Sequence, residues 1–284
     1  YLKHGLIEQE FLLRAELMTV NATLDRSRLE LKAARDALWG EMEVAKRIQT
    51  ALLPTNRQLG EYEAFAVMRP AEEVGGDYYD MIETPAGEHW VAIGDVSGHG
   101  VESGLVMMMT QTSILAMVQE TPGRRPSAVF TAVNGVIREN IGRLRNSRYM
   151  TLNVTRLHAD HLTVAGKHQD LLVHRRRSGS VATISNEGSW IGIVRDAGPC
   201  TEDLDVPIGP GDTVLLFTDG VTEARDRGEN EWGVLNLVKT IQTSALEGRD
   251  ARSMTTAVRQ KLLQFVGDTP QYDDITLVAV RASR

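Results

Sequence analysis

One cysteine, Cys200, stands in the whole chain, so no internal disulfide can form. That scarcity fits a reducing, cytoplasmic compartment. No apolar run approaches the roughly 18 residues of a membrane span, so no membrane contact is expected within this piece. Positive charge is in deficit: the net charge is −7, and the average surface repels nucleic acid. The local cluster His174-Arg175-Arg176-Arg177 precedes a Ser-Gly turn and reads as a solvated hairpin end. No initiating methionine opens the chain. It begins at Tyr1, mid-helix in character, as a piece of a longer protein would. The 284 residues, 42% hydrophobic, suffice for one large domain with an appendage.

Proline is absent from residues 1 to about 53, and glycine occurs there only at Gly5 and Gly40. The stretch is rich in Leu, Ala, Glu, Arg and Lys, which predicts a long helix. Leu17, Leu24, Leu31 and Leu38 recur every seven residues, continued by Ala45 and Leu52. The companion positions are Leu6, Leu13, Val20, Ser27, Ala34, Glu41 and Ile48, so one seam is strong and the other weakens midway. The pattern reads as a dimerising coiled coil or as an amphipathic helix packed on its own domain. Pro54 ends it. The expected division is a helical linker over 1–54 and a catalytic domain over 55–284.

Beyond Tyr62 the texture changes to short apolar runs separated by Gly, Asp and Pro. Strands are expected at 65–68, 90–93, 151–154, 162–165, 171–173, 181–184, 213–217 and 275–280. Helices are expected at roughly 101–119, 127–142, 232–246 and 250–266, with Ser127 in the N-cap region of the second. The middle strands follow one another like hairpins, without helical crossovers. The fold class is therefore α+β: an antiparallel β-sandwich flanked by helices.

Four aspartates carry the chemistry. Asp77 lies in Val74-Gly75-Gly76-Asp77 and Asp95 in Ile93-Gly94-Asp95-Val96-Ser97-Gly98-His99-Gly100. Asp219 lies in Leu216-Phe217-Thr218-Asp219-Gly220, and Asp273 and Asp274 in Tyr272-Asp273-Asp274-Ile275-Thr276. Any one Asp beside glycine is an ordinary turn signal. Four at strand boundaries point to carboxylates aimed into one shared site. Such carboxylates repel one another unless a cation sits among them, and all-oxygen donors suit Mg²⁺ or Mn²⁺. Glycines beside Asp77 and Asp95 let the backbone approach a ligand, so the Val96 carbonyl could join the donors. Two ions about 4 Å apart could share a water and lower its pKa. His99 in the glycine turn could act as a general acid, but it reads rather as a turn residue that, with Gly98, supports these ligands. His168 and Lys167 are given a structural role. Met107-Met108-Met109 reads as core packing, and nucleophilic use of Cys200 is not expected.

These segments together resemble the signatures of bacterial metal-dependent serine/threonine phosphatases of the protein phosphatase 2C superfamily. The branch is that of the stage II sporulation phosphatase and the stress-sigma-factor regulators. They are EEVGGDYYD, IGDVSGHGV, LFTDGVTEA and YDDITLV, with Ala45–Pro54 resembling that branch's helix-to-domain junction. The resemblance covers about 43 to 281. It implies that Asp95 bridges two Mn²⁺ or Mg²⁺ ions, that Asp77 and the Val96 carbonyl serve one, and that Asp219 and Asp273 serve the other. Asp274 takes a place beside the ligands where other members have Asn. The implied substrate is a phosphorylated anti-sigma-factor antagonist, and the implied regulator is a sensor acting through the N-terminal helix. Lys167-His168-Gln169-Asp170 departs from a His-Asn-Pro-Pro-like turn of many relatives, which suggests an altered surface loop. Two other readings are a phosphatase-fold docking module without turnover and a class III nucleotidyl cyclase. The Asp219 and Asp273 segments argue against the cyclase.

Overall fold

The computed structural model describes every residue except 1, 55, 72, 73, 146, 249 and 284, and no side chain at 2–11, 15, 37, 38 or 41. Leu6, Leu38 and Glu41 of the expected seam, and Glu72 and Glu73 before Asp77, thus lie outside the described side chains. The chain divides into two compact units, Tyr1–Arg47 and Ile48–Arg284. The described residues of the first unit are helix, the start of α1 (Leu2–Leu52). Its seam residues Leu13, Leu17, Val20, Leu24 and Leu31 are all exposed.

The second unit is built on two antiparallel sheets. One has six strands in the order β1 (Arg57–Leu59), β2 (Tyr62–Arg69), β11 (Ile275–Ala282), β10 (Thr213–Phe217), β7 (Leu171–His174) and β8 (Val181–Ile184). The other has five: β3 (Asp77–Glu83), β4 (His89–Val96), β5 (Met150–Leu157), β6 (His161–Lys167) and β9 (Leu204–Pro207). Helices α2 (Val101–Glu120) and α3 (Pro126–Arg143) cover the five-stranded sheet. Helices α5 (Gly233–Leu246) and α6 (Ala251–Val266) cover the six-stranded one. A one-turn helix, α4 (Asp219–Thr222), follows β10.

This four-layer order explains the apolar runs. Strand β4 sends Val91 and Ile93 between the sheets and Trp90 and Ala92 beneath α2 and α3. Strand β11 sends Val278 and Val280 inward and Leu277 and Ala279 beneath α5 and α6. With both faces covered, neither strand needs the polar alternation of a half-solvated sheet.

All eight expected strands and the four later helices form, with boundaries shifted by a few residues. Three strands were not anticipated. β3, Asp-Tyr-Tyr-Asp-Met-Ile-Glu, is buried over its first six residues although two of them are acidic. β1 and β9 are short edge strands. Ser127 is not the cap of α3: Pro126 takes the first turn, and Asp203 accepts from the Ser127 amide at 2.8 Å and its hydroxyl at 2.9 Å. By length and composition alone α2 would suffice to cross a membrane. Its Val106, Met107, Ile114 and Val118 are instead core residues against the five-stranded sheet. Arg176 and Arg177 are exposed at the β7–β8 turn, while Arg175 is held by Asp212 at 2.9 Å.

Candidate active site

Side-chain parity sets the site. On β3, Tyr79 and Met81 face the space between the sheets, so Asp77 faces it too. On β4, Val91 and Ile93 face it, and so does Asp95. Asp77 and Asp95 are cross-strand partners, and Asp95 is also paired with Thr151 of β5. The opposite sheet brings Thr218 and Asp219 after β10, and Asp273 and Asp274 before β11. The two segments are joined by the Thr218 amide on the Thr276 carbonyl at 3.1 Å. The aspartates thus collect at one end of the sandwich, contributed by both sheets.

The sequence placed each Asp at a strand boundary, and the structure refines this. Asp95 lies inside β4. Asp219 is the first residue of α4, one position past the Thr218 that follows β10. β11 starts at Ile275, two residues after Asp273.

Hydrogen bonds fix much of the cluster. Asp77 is buried, and its Oδ2 accepts from Thr218 Oγ1 at 2.9 Å and Thr276 Oγ1 at 2.5 Å. Asp274 clamps the opposite segment: its Oδ1 accepts from the Ala71 amide at 2.7 Å and its Oδ2 from the Asp77 amide at 3.3 Å. A Cβ on Gly75 would collide with that Asp274 carboxylate, and one on Gly220 with the Asp274 carbonyl. Glycine is required at both places by close approach.

The electrostatics follow from crowding. Burial, then the charges of Asp219, Asp273 and Asp274, push the Asp95 carboxyl up to about 8. Burial, with Asp219, Asp274 and Glu223 adding to it, pushes Asp273 up to about 6. Burial, Asp95 and Asp274 hold Asp77 well above the usual carboxylate range despite its two hydroxyl donors. Such a set favours either protons or a cation.

The residues fit hard divalent ions by two observations. The donors are all oxygen. A Cβ on Gly76 would lie 2.7 Å from the Val96 carbonyl oxygen, 3.1 Å from Asp95 Oδ1 and 3.3 Å from the Gly98 carbonyl oxygen, so glycine keeps open a space that three oxygens border. Among the described residues, no three acidic, histidine or cysteine side chains close into a ready-made metal cage.

Several supporting residues carry no signal in the sequence. Gln49, on the last turns of α1, is buried. Its amide donates to the Gly75 carbonyl at 2.8 Å and accepts from the Gly75 amide at 3.2 Å. Gln111 donates to the Leu52 carbonyl at 2.8 Å and Tyr79 to the Pro54 carbonyl at 3.1 Å, so the helix end is tied down three times. Arg148 spans the Ser97–Gly100 turn, donating to the Ser97 carbonyl at 2.5 Å and the His99 carbonyl at 3.4 Å, with Glu102 at 3.3 Å. His99 is exposed in that turn, where Gly98 and Gly100 have φ of 78° and 87°.

His168 does not sit in an altered surface loop. It is buried, with Nε2 3.0 Å from the Phe217 carbonyl and Nδ1 2.8 Å from Thr151 Oγ1. A carbonyl only accepts, so Nε2 carries the proton. Burial drives the imidazole pKa down to about 4, so the ring is neutral and Nδ1 accepts the Thr151 hydroxyl. One uncharged ring therefore joins the two sheets beside Asp95 and Asp219. Only the register of distant strands reveals this, and no local sequence signal does.

Known proteins share this architecture. Residues 85–283 match the family described as stage II sporulation protein E (SpoIIE). The chain is 27% identical over 260 residues to the phosphoserine phosphatase RsbU of Bacillus subtilis, covering 88% of this chain and 72% of that one. It is 27% identical over 268 residues to protein IcfG of Synechocystis, covering 84% of this chain and 41% of that one. Among solved structures, the SiaA PP2C domain of Pseudomonas aeruginosa superimposes with a TM-score of 0.73 at 25% identity, over 88% of this chain and 98% of that one. The PP2C domain of Bacillus subtilis SpoIIE superimposes with a TM-score of 0.61 at 18% identity, over 80% and 63%. With 199 of its 284 residues (85–283) inside the family match, the chain belongs to the stage II sporulation protein E family of PP2C-type serine phosphatases.

Proposed function

We propose that this chain hydrolyses phosphoserine or phosphothreonine on an anti-sigma-factor antagonist protein, using two Mn²⁺ or Mg²⁺ ions held by the aspartate cluster. One observation carries this reading. Asp77 and Asp95 are cross-strand partners in one sheet, and the segments that carry Asp219 and Asp273 in the other are bonded to that pair through Thr218 on Asp77 at 2.9 Å and Asp274 on the Asp77 amide at 3.3 Å. Asp95 would touch both ions, Asp77 and the Val96 carbonyl one of them, and Asp219 and Asp273 the other. When bound, such ions lower the pKa of water and neutralise phosphoryl oxygens.

The chain's own residues orient these ligands. Thr218 and Thr276 fix the rotation of the Asp77 carboxylate. Asp274 and Gln49 fix the backbone that carries it. In the net reaction a water oxygen bonds to phosphorus, the bond to the serine or threonine oxygen breaks, and that oxygen takes up a proton. Support for the substrate class comes from the relative named a phosphoserine phosphatase and from a Mycobacterium tuberculosis structure described as RsbU and RsbW domains of one protein.

The N-terminal helix is read as a cytoplasmic, dimerising linker from an upstream sensor. Its exposed leucine seam supports a second copy as partner. Gln49 supports regulation, because a shift of the helix end would pull on Gly75, two residues from Asp77. The test is Mn²⁺-dependent phosphate release from a phosphoserine antagonist-type protein, with Asp95→Asn beside wild type. Full activity in that variant would sink the assignment. Unchanged activity and oligomeric state after deletion of residues 1–40 would sink the regulatory part.

A further inference from the structure

A cavity of about 460 Å³ opens directly beside the aspartate cluster and is lined in part by Asp273 and Gly220. It is far larger than a phosphoryl group needs and falls in the range of built ligand pockets. Its lining joins an apolar patch to polar groups: Leu262 and Ile275 are buried, Val266 is half-buried and Leu263 stands at the edge, 36% exposed, beside Thr269 and Gln271, whose Oγ1 and Oε1 are buried without a partner among the described residues. Its exposed rim carries charges that largely cancel. Arg225 is engaged by Glu229 at 3.4 Å and Glu231 at 3.1 Å, and Arg69 lies opposite Glu223 in sign. Tyr272, 70% exposed, also borders it.

Continuity decides the occupant. Asp273 belongs to both the cluster and the cavity wall, so a phosphorylated side chain held at the aspartates brings its neighbouring residues to this opening. The patch of Leu262, Leu263, Val266 and Ile275 rewards an apolar side chain laid on it, at about 25 cal/mol per Å² buried, while the paired charges of the rim offer a charged one no net counter-charge. We propose that the cavity seats an apolar side chain of the substrate polypeptide, a few residues from the phosphorylated serine or threonine. It is thus a specificity pocket for the flanking sequence. This rests on the phosphatase reading above.

The experiment uses the full chain with Mn²⁺ and three probes. They are p-nitrophenyl phosphate, a phosphoserine peptide with leucines flanking the phosphoserine, and the same peptide with those leucines replaced by glycine. Wild type is expected to favour the leucine peptide over the glycine peptide at least tenfold in kcat/KM, mainly through KM. Leu263→Glu places a charge at the pocket edge and Val266→Trp fills it. Each is expected to bring that ratio close to one. Equal use of both peptides by wild type overturns the proposal, as does a preference that survives both substitutions. Turnover of p-nitrophenyl phosphate with neither peptide hydrolysed also overturns it. No turnover of any probe overturns the phosphatase reading itself, and the pocket with it.

Discussion

Gln49 pairs with both backbone groups of Gly75, 26 positions away, through one buried side-chain amide. A helix residue thereby completes the hydrogen bonding of the loop that delivers Asp77. Gln49→Ala leaves a buried N–H and C=O without that partner, a loss of about 1–3 kcal/mol. In a domain of this size that is a fall in Tm of roughly 3–10 °C. Mn²⁺ affinity should drop about tenfold, because the loop positions a proposed ligand. Calorimetric titration with Mn²⁺ beside a thermal melt checks both, and unchanged affinity would detach Gln49 from the site.

Asp95→Asn is expected to abolish phosphate release. Above pH 8, where the Asp95 carboxyl is ionised, it should also raise the Tm of the EDTA-treated protein, since it removes one charge from a buried like-charged cluster. A lower Tm in the metal-free variant would mean that attractions, not repulsion, dominate among these carboxyls.

The pH dependence follows from the same crowding. Asp95 and Asp273 are protonated up to about 8 and about 6 when folded, against roughly 4 in an unfolded chain. Between pH 4 and 8 the folded state binds more protons at these groups, so their contribution to stability falls as pH rises. Metal must displace those protons, so Mn²⁺ affinity should strengthen from pH 6 to pH 8. Melting curves of the EDTA-treated protein across that range, with and without Mn²⁺, should diverge as pH increases. Parallel curves would contradict the account.

His168→Leu removes the neutral ring between Thr151 and Phe217 and leaves a buried carbonyl without its donor. The expected cost is about 1–3 kcal/mol. His168→Gln, whose amide can donate to Phe217 and accept from Thr151, should recover part of it. Chemical denaturation of the three proteins checks the order, and equal loss in both variants would reduce His168 to a space-filling role.

Much of this fold was legible because its buried strands are continuous aliphatic runs and its helices keep a 3.6-residue period. β3 was not legible: Asp77, Tyr78, Tyr79 and Asp80 look polar, yet they are buried because the site lies at that strand's end. The aspartates were legible as a set, since each stands against a glycine or an apolar run. The residues that orient them were not. Gln49, Arg148, His168 and Thr276 act on segments 26 to 199 positions away, and strand register alone brings them there.

The most direct measurement is phosphate release from a phosphoserine antagonist-type protein as a function of Mn²⁺, with wild type and Asp219→Asn side by side. The account predicts saturable, Mn²⁺-dependent release by wild type and loss of at least a hundredfold in the variant. Equal release by the two proteins, or release by wild type that persists in EDTA, would contradict it.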